Sequence, residues 1–341
     1  MLLGYSSLYP PDVFEHALPD AGTARRRLAA ERPDVLEQLK QVAARLGADT
    51  PTLDAVVLAT ARLSLRHGSL GRDFHAYHNE EHVLELIDRR LSRLLEGMGD
   101  AALAADDVRA LMLFAACHDL RQRETVDVPG PVGGNEAASA AETFRILSAC
   151  GFDPDTDRSQ FVALELMIAG STFDTRPLQL TDPQPLELPS VAGGALARGL
   201  ALWLDSCLPR WRVNPAARRG ERLARLAADL DTANVGEQFV QLCATALRLC
   251  REREMRAGRQ LDQPDSALPC LGFLGRGQEH YFHELHRFNS REGERVFGAQ
   301  KLINGERVSA TTEALLARFA RRPPNDGEAV LAAFAELTGA V

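Results

Sequence analysis

The 341-residue sequence contains no apolar run of roughly eighteen residues or more, and its mean hydropathy is −0.18, so a hydrophobic membrane-spanning helix is not expected. It also lacks an excess of positive charge. The net charge of −8 and a pI near 5.7 argue against a broad nucleic-acid surface, which needs a basic face to neutralise many phosphates, although a local basic pocket stays open. Lysine is almost missing: of 39 basic residues only Lys40 and Lys301 are lysines, a bias that reflects a GC-rich coding sequence and carries no functional weight. The six cysteines (Cys117, Cys150, Cys207, Cys243, Cys250 and Cys270) form no CxxC pair, which removes the metal knuckle and the redox dithiol and leaves reduced, mostly buried thiols as the expectation. There is no GxSxG, no Walker A and no GxGxxG after a strand. The opening MLLGYSSLYPPD has neither a basic n-region nor a long apolar stretch, so neither a secretory signal nor an anchor is expected and a cytoplasmic location is.

What is present is helical periodicity. Apolar residues make up 45% and charged residues 25%, the balance of a globular protein, and the length allows two domains or one large one. From Val83 the residues Leu84, Leu86, Ile87, Leu91, Leu94, Leu95 and Met98 recur at three and four, with Glu85, Asp88, Arg89 and Arg90 on the other face. Further helices are expected at about 35–46, 54–66, 101–118, 136–149, 158–169, 193–208, 216–231, 235–256, 278–290 and 311–320. Strand alternation is nearly absent. The segments 125–135, 174–190, 263–277 and 321–327 are rich in proline and glycine and read as breaks between helices. An all-α bundle is therefore the expected fold.

The chemistry-bearing residues are histidines, nine in all. In FHAYHNEEHVLELI, His78 and His82 stand four apart, so on a helix both imidazoles project from one face, the face that continues into Leu86. Leu111, Phe114 and His118 share a second helix face, and Asp119 follows directly. Imidazoles and carboxylates at the apolar ends of helices are costly to bury unless something pairs with them. A divalent metal would satisfy all of them.

Tyr77-His78-Asn79 with His82, followed by His118-Asp119, resembles the YHNxxH and HD motifs of the HD superfamily of metal-dependent phosphohydrolases, cyclic-nucleotide phosphodiesterases in particular. Asn135-Glu136-Ala137-Ala138-Ser139-Ala140 is similar to the NExxSA element of a group of uncharacterised bacterial HD phosphohydrolases. The resemblance covers about 75–240 and implies an HD-domain-like bundle. It implies metal ligands His82, His118, Asp119 and a distal Asp. Asp229 fits the last on its apolar stripe, with Asp231 as the rival two residues on. It also implies that His78 is the general acid, that Asp119 takes part in catalysis, and that Asn79, Arg121 and Glu136 lie against the substrate. The expected division is an N-terminal helical extension over 1–54, a catalytic domain over 55–300 and a C-terminal helical extension over 301–341.

The sequence departs from the cyclic-nucleotide enzymes after the doublet. Here it continues Leu120-Arg121-Gln122-Arg123-Glu124 instead of the family's xDHPG, so that substrate class is not inherited. No histidine lies between His118 and His280, which disfavours the HD oxygenase and HD-GYP patterns. An imidazole and carboxylate shell suits Mn, Fe, Co, Ni or Zn, with Mg as a candidate second metal in a water-rich position. The expected reaction is attack of a metal-activated water on phosphorus with His78 protonating the leaving oxygen. The expected substrate is a small phosphorylated molecule, first a nucleotide phosphodiester, then a nucleoside monophosphate or guanosine polyphosphate. A catalytically silent metal- and nucleotide-binding regulator is the reading from another class. No extended nucleic acid and no membrane partner is expected, and the oligomeric state is left open.

Other features carry less. QEHYFHELHRF holds His280, His283 and His286 at three-residue spacing without an HExxH, GFLGRG at 272–277 reads as an ordinary turn before it reads as a phosphate cradle, and Trp203 and Trp211 read as packing residues.

Overall fold

The computed structural model describes residues 3–99, 103–126, 128, 130–173 and 195–340. Among these the fold is all-α: helices alone build the core, and the one β-type pairing is an isolated bridge between Phe173 and Ala195. No described helix is long and apolar enough to cross a membrane. The chain forms two units. One comprises the residues up to Phe74 with His78–Asp231, and the other comprises His75–Tyr77 with the residues from Thr232 onward. This division runs at Asp231/Thr232 and does not coincide with the expected boundaries at 54/55 and 300/301.

The first unit contains α1 (Val13–Ala17), α2 (Ala21–Glu31), α3 (Pro33–Arg45), α4 (Thr50–His67), α5 (Glu80–Leu84), α6 (Ser92–Met98), α7 (Ala105–Cys117), α8 (Gly134–Ala149), α9 (Arg158–Ser171), α10 (Leu200–Cys207) and α11 (Pro215–Asp231). Asp12, Asp20 and Asp49 cap α1, α2 and α4 by accepting from backbone amides of the first turn. Helices α1 and α2 were not foreseen, because five residues of α1 and the arginine-rich face of α2 show little apolar periodicity. The expected helices at 101–118 and 193–208 begin at residues outside the described ones, as does the proline-rich segment 174–190.

Helices α4 and α9 are buried almost all round, as central helices of a bundle must be. The longest packing seam joins α9 to α11. Small residues permit it: a Cβ on Gly220 would stand 2.9 Å from Leu166 Cδ1 and 3.2 Å from Ala163 Cα, and one on Gly170 3.0 Å from Ala224 Cβ. Asp231 is the last residue of α11.

Between α5 and α6 the chain winds as a π-helix over Glu85–Leu91. With bonds from i to i+5, residues turn less per step than in an α-helix, so positions beyond the insertion rotate to new faces. Arg90, expected on the polar face, is consequently fully buried.

The second unit contains α12 (Phe239–Arg256), α13 (Ala267–Gly272), α14 (Gln278–His280), α15 (Arg291–Phe319) and α16 (Gly327–Thr338), around Phe239, Leu242, Leu274, Phe282, Leu315 and Phe334. Asn304 of α15 donates to the carbonyls of Val235 and Glu237 at 2.9 and 2.8 Å. The segment His75–Tyr77 is stapled to α12, where Glu252 accepts from the Tyr77 amide at 2.9 Å and meets His75 Nδ1 at 3.3 Å. Residues 263–277, expected as a break, instead contain α13 and a π turn over Phe273–Gly277. The helix expected at 311–320 is the end of the much longer α15.

Candidate metal centre

Three helix ends of the first unit bring their polar groups together. Asn79 caps α5 by accepting from the Glu81 amide at 2.9 Å, which starts the helix one residue after it. His78 therefore precedes the helix and does not share its face by helical spacing, yet its ring centroid lies 6.0 Å from that of His82 in an edge-on arrangement. His82 is fully buried one turn inside α5, and His78 is half-buried. His118 closes α7, where its amide donates to the Phe114 carbonyl and its ring lies 4.7 Å from the Phe114 ring. Asp231 ends α11.

The donor atoms converge. His82 Nε2 lies 3.3 Å from Asp231 Oδ1 and 3.6 Å from Asp119 Oδ2. His118 Nε2 lies 2.9 Å from Asp119 Oδ2 and 3.4 Å from Asp231 Oδ1. Despite these distances, His118 Nε2 and Asp119 Oδ2 are buried and make no hydrogen bond. His82, His118 and Asp231 have ligand atoms within 4.8 Å of one another and could hold a metal ion, with the Asp119 carboxylate beside both imidazoles. Of the two acids considered for the distal position, Asp231 belongs to this group. Asp229, although buried, does not.

Electrostatics follow from the crowding. Burial opposes charge on His118, but Asp119 and then Asp231 outweigh it and hold its pKa well above the usual histidine value. Burial dominates at His82 and lowers its pKa against the pull of Asp231. Asp231 is the reverse case: burial pushes it up, and the adjacent His118 and His82 imidazoles bring it well below the ordinary carboxylate range. Asp119 is likewise held low, against burial, by His118 and then His78.

The loop after the doublet is tied down from behind. Gln122 Nε2 donates to Asp119 Oδ1 at 2.8 Å. Arg66 Nη1 donates to the Leu120 carbonyl at 2.6 Å, the Arg121 amide donates to Ser139 Oγ at 3.1 Å, and the Glu124 amide to Asn135 Oδ1 at 2.9 Å. Asn135 and Ser139 of the NExxSA element thus clamp both ends of this loop. Glu136, in the first turn of α8, is half-buried, and burial followed by the Asp119 charge raises its carboxyl pKa.

The remaining candidates are placed elsewhere. The Arg121 guanidinium donates to Glu124 at 2.5 Å and faces Asp12, Glu15 and Glu142 within 3.7 to 3.8 Å, inside an ion-pair network rather than opposite an anion. Arg123 forms a bidentate pair with Asp73 at 2.6 and 2.7 Å. Asn79 spends its carbonyl oxygen on the α5 cap. In the second unit His280 pairs with Glu284 at 3.1 Å, His283 approaches Ser309 Oγ at 3.2 Å and His286 approaches Thr232 Oγ1 at 3.2 Å, so the three do not share one centre. Trp211 is buried and donates to Asp205 at 2.8 Å. Sequence reasoning missed Gln122 and Arg90. Gln122 had a usable signal, lying one turn after Asp119; Arg90 had none without the π-helix.

No family model matches the chain, and no curated protein matches it.

Proposed function

We propose that the chain is a metal-dependent phosphohydrolase of the HD type, acting on a small phosphorylated molecule and first on the phosphodiester of a small nucleotide. The observation that carries this reading is the convergence of His82 Nε2, His118 Nε2, Asp119 Oδ2 and Asp231 Oδ1 from three helix ends, two of those atoms being buried without a hydrogen bond. These four residues would hold the ion, with Asp231 in the distal place first considered for Asp229. The mixed donor set favours Mn, Fe, Co, Ni or Zn.

Such an ion, when bound, supplies the positive charge that acidifies water and polarises a phosphoryl oxygen. The chain's own residues do the rest. His78 sits beside the donor set but is less buried than His82, which suits it to carry a proton to a departing alkoxide oxygen. Glu136, whose carboxyl holds its proton more readily than usual, adds an acceptor or donor for the attacking water or a substrate oxygen. The interlocked loop 119–124 keeps Asp119 from swinging away when charge builds up nearby.

The test is product release from nucleotide phosphodiesters, nucleoside monophosphates and guanosine polyphosphates, followed by chromatography and phosphate colorimetry with and without Mn2+. Metal-dependent hydrolysis that disappears in the His118→Ala/Asp119→Ala double variant is expected. Full activity in that variant would refute the assignment. A metal-loaded protein that turns over nothing in the panel would favour the regulator reading.

A further inference from the structure

We infer that Arg90 is a positioning residue that selects Asp231, rather than Asp229, as the distal carboxylate of the metal centre; this rests on the metal reading above. Arg90 is 0% exposed, an unusual place for a guanidinium on a helix whose outer face is charged. Its Nη1 donates to the backbone carbonyls of Leu230 and Asp231, at 3.2 and 2.6 Å. Those are among the last carbonyls of α11, which lack intrahelical partners by construction and would otherwise fray or seek water. A buried cation at a helix C-terminus also opposes the partial negative charge collected there.

The device links two ligands. His82 lies in α5, and Arg90 lies in the π-helix that continues from it, so one continuous segment carries a ligand and grips the end of the helix that carries another. Were the segment α-helical throughout, Arg90 would sit on the face assigned to it by the 3.6-residue period, away from α11. The π insertion turns it inward, consistent with the frequency of such insertions at functional sites. With the Asp231 carbonyl held at 2.6 Å, the terminal residue of α11 has its backbone fixed, and its side chain meets His82 and His118 at 3.3 and 3.4 Å. Asp229 lies within the helix, two residues before its end, and is not among the converging ligand atoms. A lysine could supply the charge but only a point donor, whereas the guanidinium is a rigid planar fork.

Mn2+ binding to the full chain, read by calorimetry and by the Mn2+ electron paramagnetic signal, tests this in wild type, Arg90→Met, Arg90→Lys, Asp231→Asn and the Arg90→Met/Asp231→Asn double variant. Arg90→Met is expected to weaken binding by about 10- to 100-fold, the range seen when an outer partner of a ligand is lost, with Arg90→Lys in between. In the Asp231→Asn background the same change should alter affinity by less than about threefold, because the residue through which Arg90 acts is already disabled. An equal loss in both backgrounds would mark a merely structural role and overturn the proposal, as would wild-type affinity in a folded Arg90→Met or Arg90→Lys protein. If Arg90→Met fails to fold, Arg90→Lys alone and with Asp231→Asn provides the same comparison. Wild-type protein that takes up neither Mn2+ nor Zn2+, Co2+, Ni2+ or Fe2+ sinks the metal reading itself, whereas normal uptake with insensitive Arg90 variants sinks only this inference.

Discussion

Gln122 donates its side-chain amide to Asp119 Oδ1 at 2.8 Å, and the other oxygen of the same carboxylate faces His118 Nε2 at 2.9 Å. One oxygen is thus held from behind while its partner faces the candidate metal site. Removing the hold lets the carboxylate rotate. Gln122→Leu should weaken Mn2+ or Zn2+ affinity by about tenfold with little change in melting temperature, measured by calorimetry and differential scanning fluorimetry. Unaltered affinity would show that the backbone contacts of Leu120 and Arg121 suffice to orient Asp119.

Asp231→Asn and Asp229→Asn separate the two distal candidates. The first should lower metal affinity by more than the roughly 10- to 100-fold that loss of an outer hydrogen bond costs, because it removes a donor. The second should leave affinity within a few-fold, since Asp229 is outside the group of converging ligand atoms. Elemental analysis of the purified variants reads the difference directly, and the reverse order would restore Asp229.

The contrast between these two residues shows how far sequence reading reached. Both acids, the doublet and His82 were visible as polar residues at helix ends, and the stripe of Leu226 and Leu230 placed Asp229 on an inward face, where it is buried. Burial, though, is not aim. Asp231 takes its direction from the helix terminus, where Arg90 holds the carbonyls, and Arg90 reaches there only because seven residues leave the α-helical period. No period count on the sequence contains that shift. Helices α1 and α2 escaped for a different reason: they carry few large apolar residues to show a period, and their starts are marked by the caps Asp12 and Asp20.

Metal uptake should release a proton. In the metal-free protein the Asp119 and Asp231 carboxylates raise the His118 pKa well above its usual value, so this imidazole keeps its proton to higher pH than an ordinary histidine, and it must become neutral to ligate. Affinity should fall by about tenfold per pH unit below that raised pKa, and calorimetry in buffers of different ionisation enthalpy should report about one proton released. The stability dependence has the matching sign. A histidine whose folded pKa lies above the unfolded value, about 6.5, contributes stability present in full below that pH and lost as pH rises through the folded pKa. The rise in melting temperature on adding metal should accordingly grow with pH. A metal-induced shift that shrinks between pH 6 and 8 would contradict the assignment of His118 as protonated ligand.

Behind the doublet lies a buried network whose loss should reach the metal centre. Glu142 on α8 is 0% exposed and pairs with Arg66 at 2.9 Å and Arg62 at 3.4 Å, both on α4. Burial raises the Glu142 pKa even against Arg66, so this carboxylate is held at a desolvation cost that the two guanidinium groups offset. Breaking such a pair leaves a buried charge without full compensation, and Arg66→Met should destabilise the protein by about 3–5 kcal/mol in urea unfolding. Glu142→Gln keeps a polar acceptor of the same shape and should cost less, about 1–3 kcal/mol. The two also differ at the metal. Arg66 alone of this pair donates to the Leu120 carbonyl, directly after Asp119, so in the folded fraction Arg66→Met should lower metal affinity while Glu142→Gln leaves it nearly unchanged. Equal affinities in the two folded variants would mean that Ser139 and Asn135 hold the loop without Arg66.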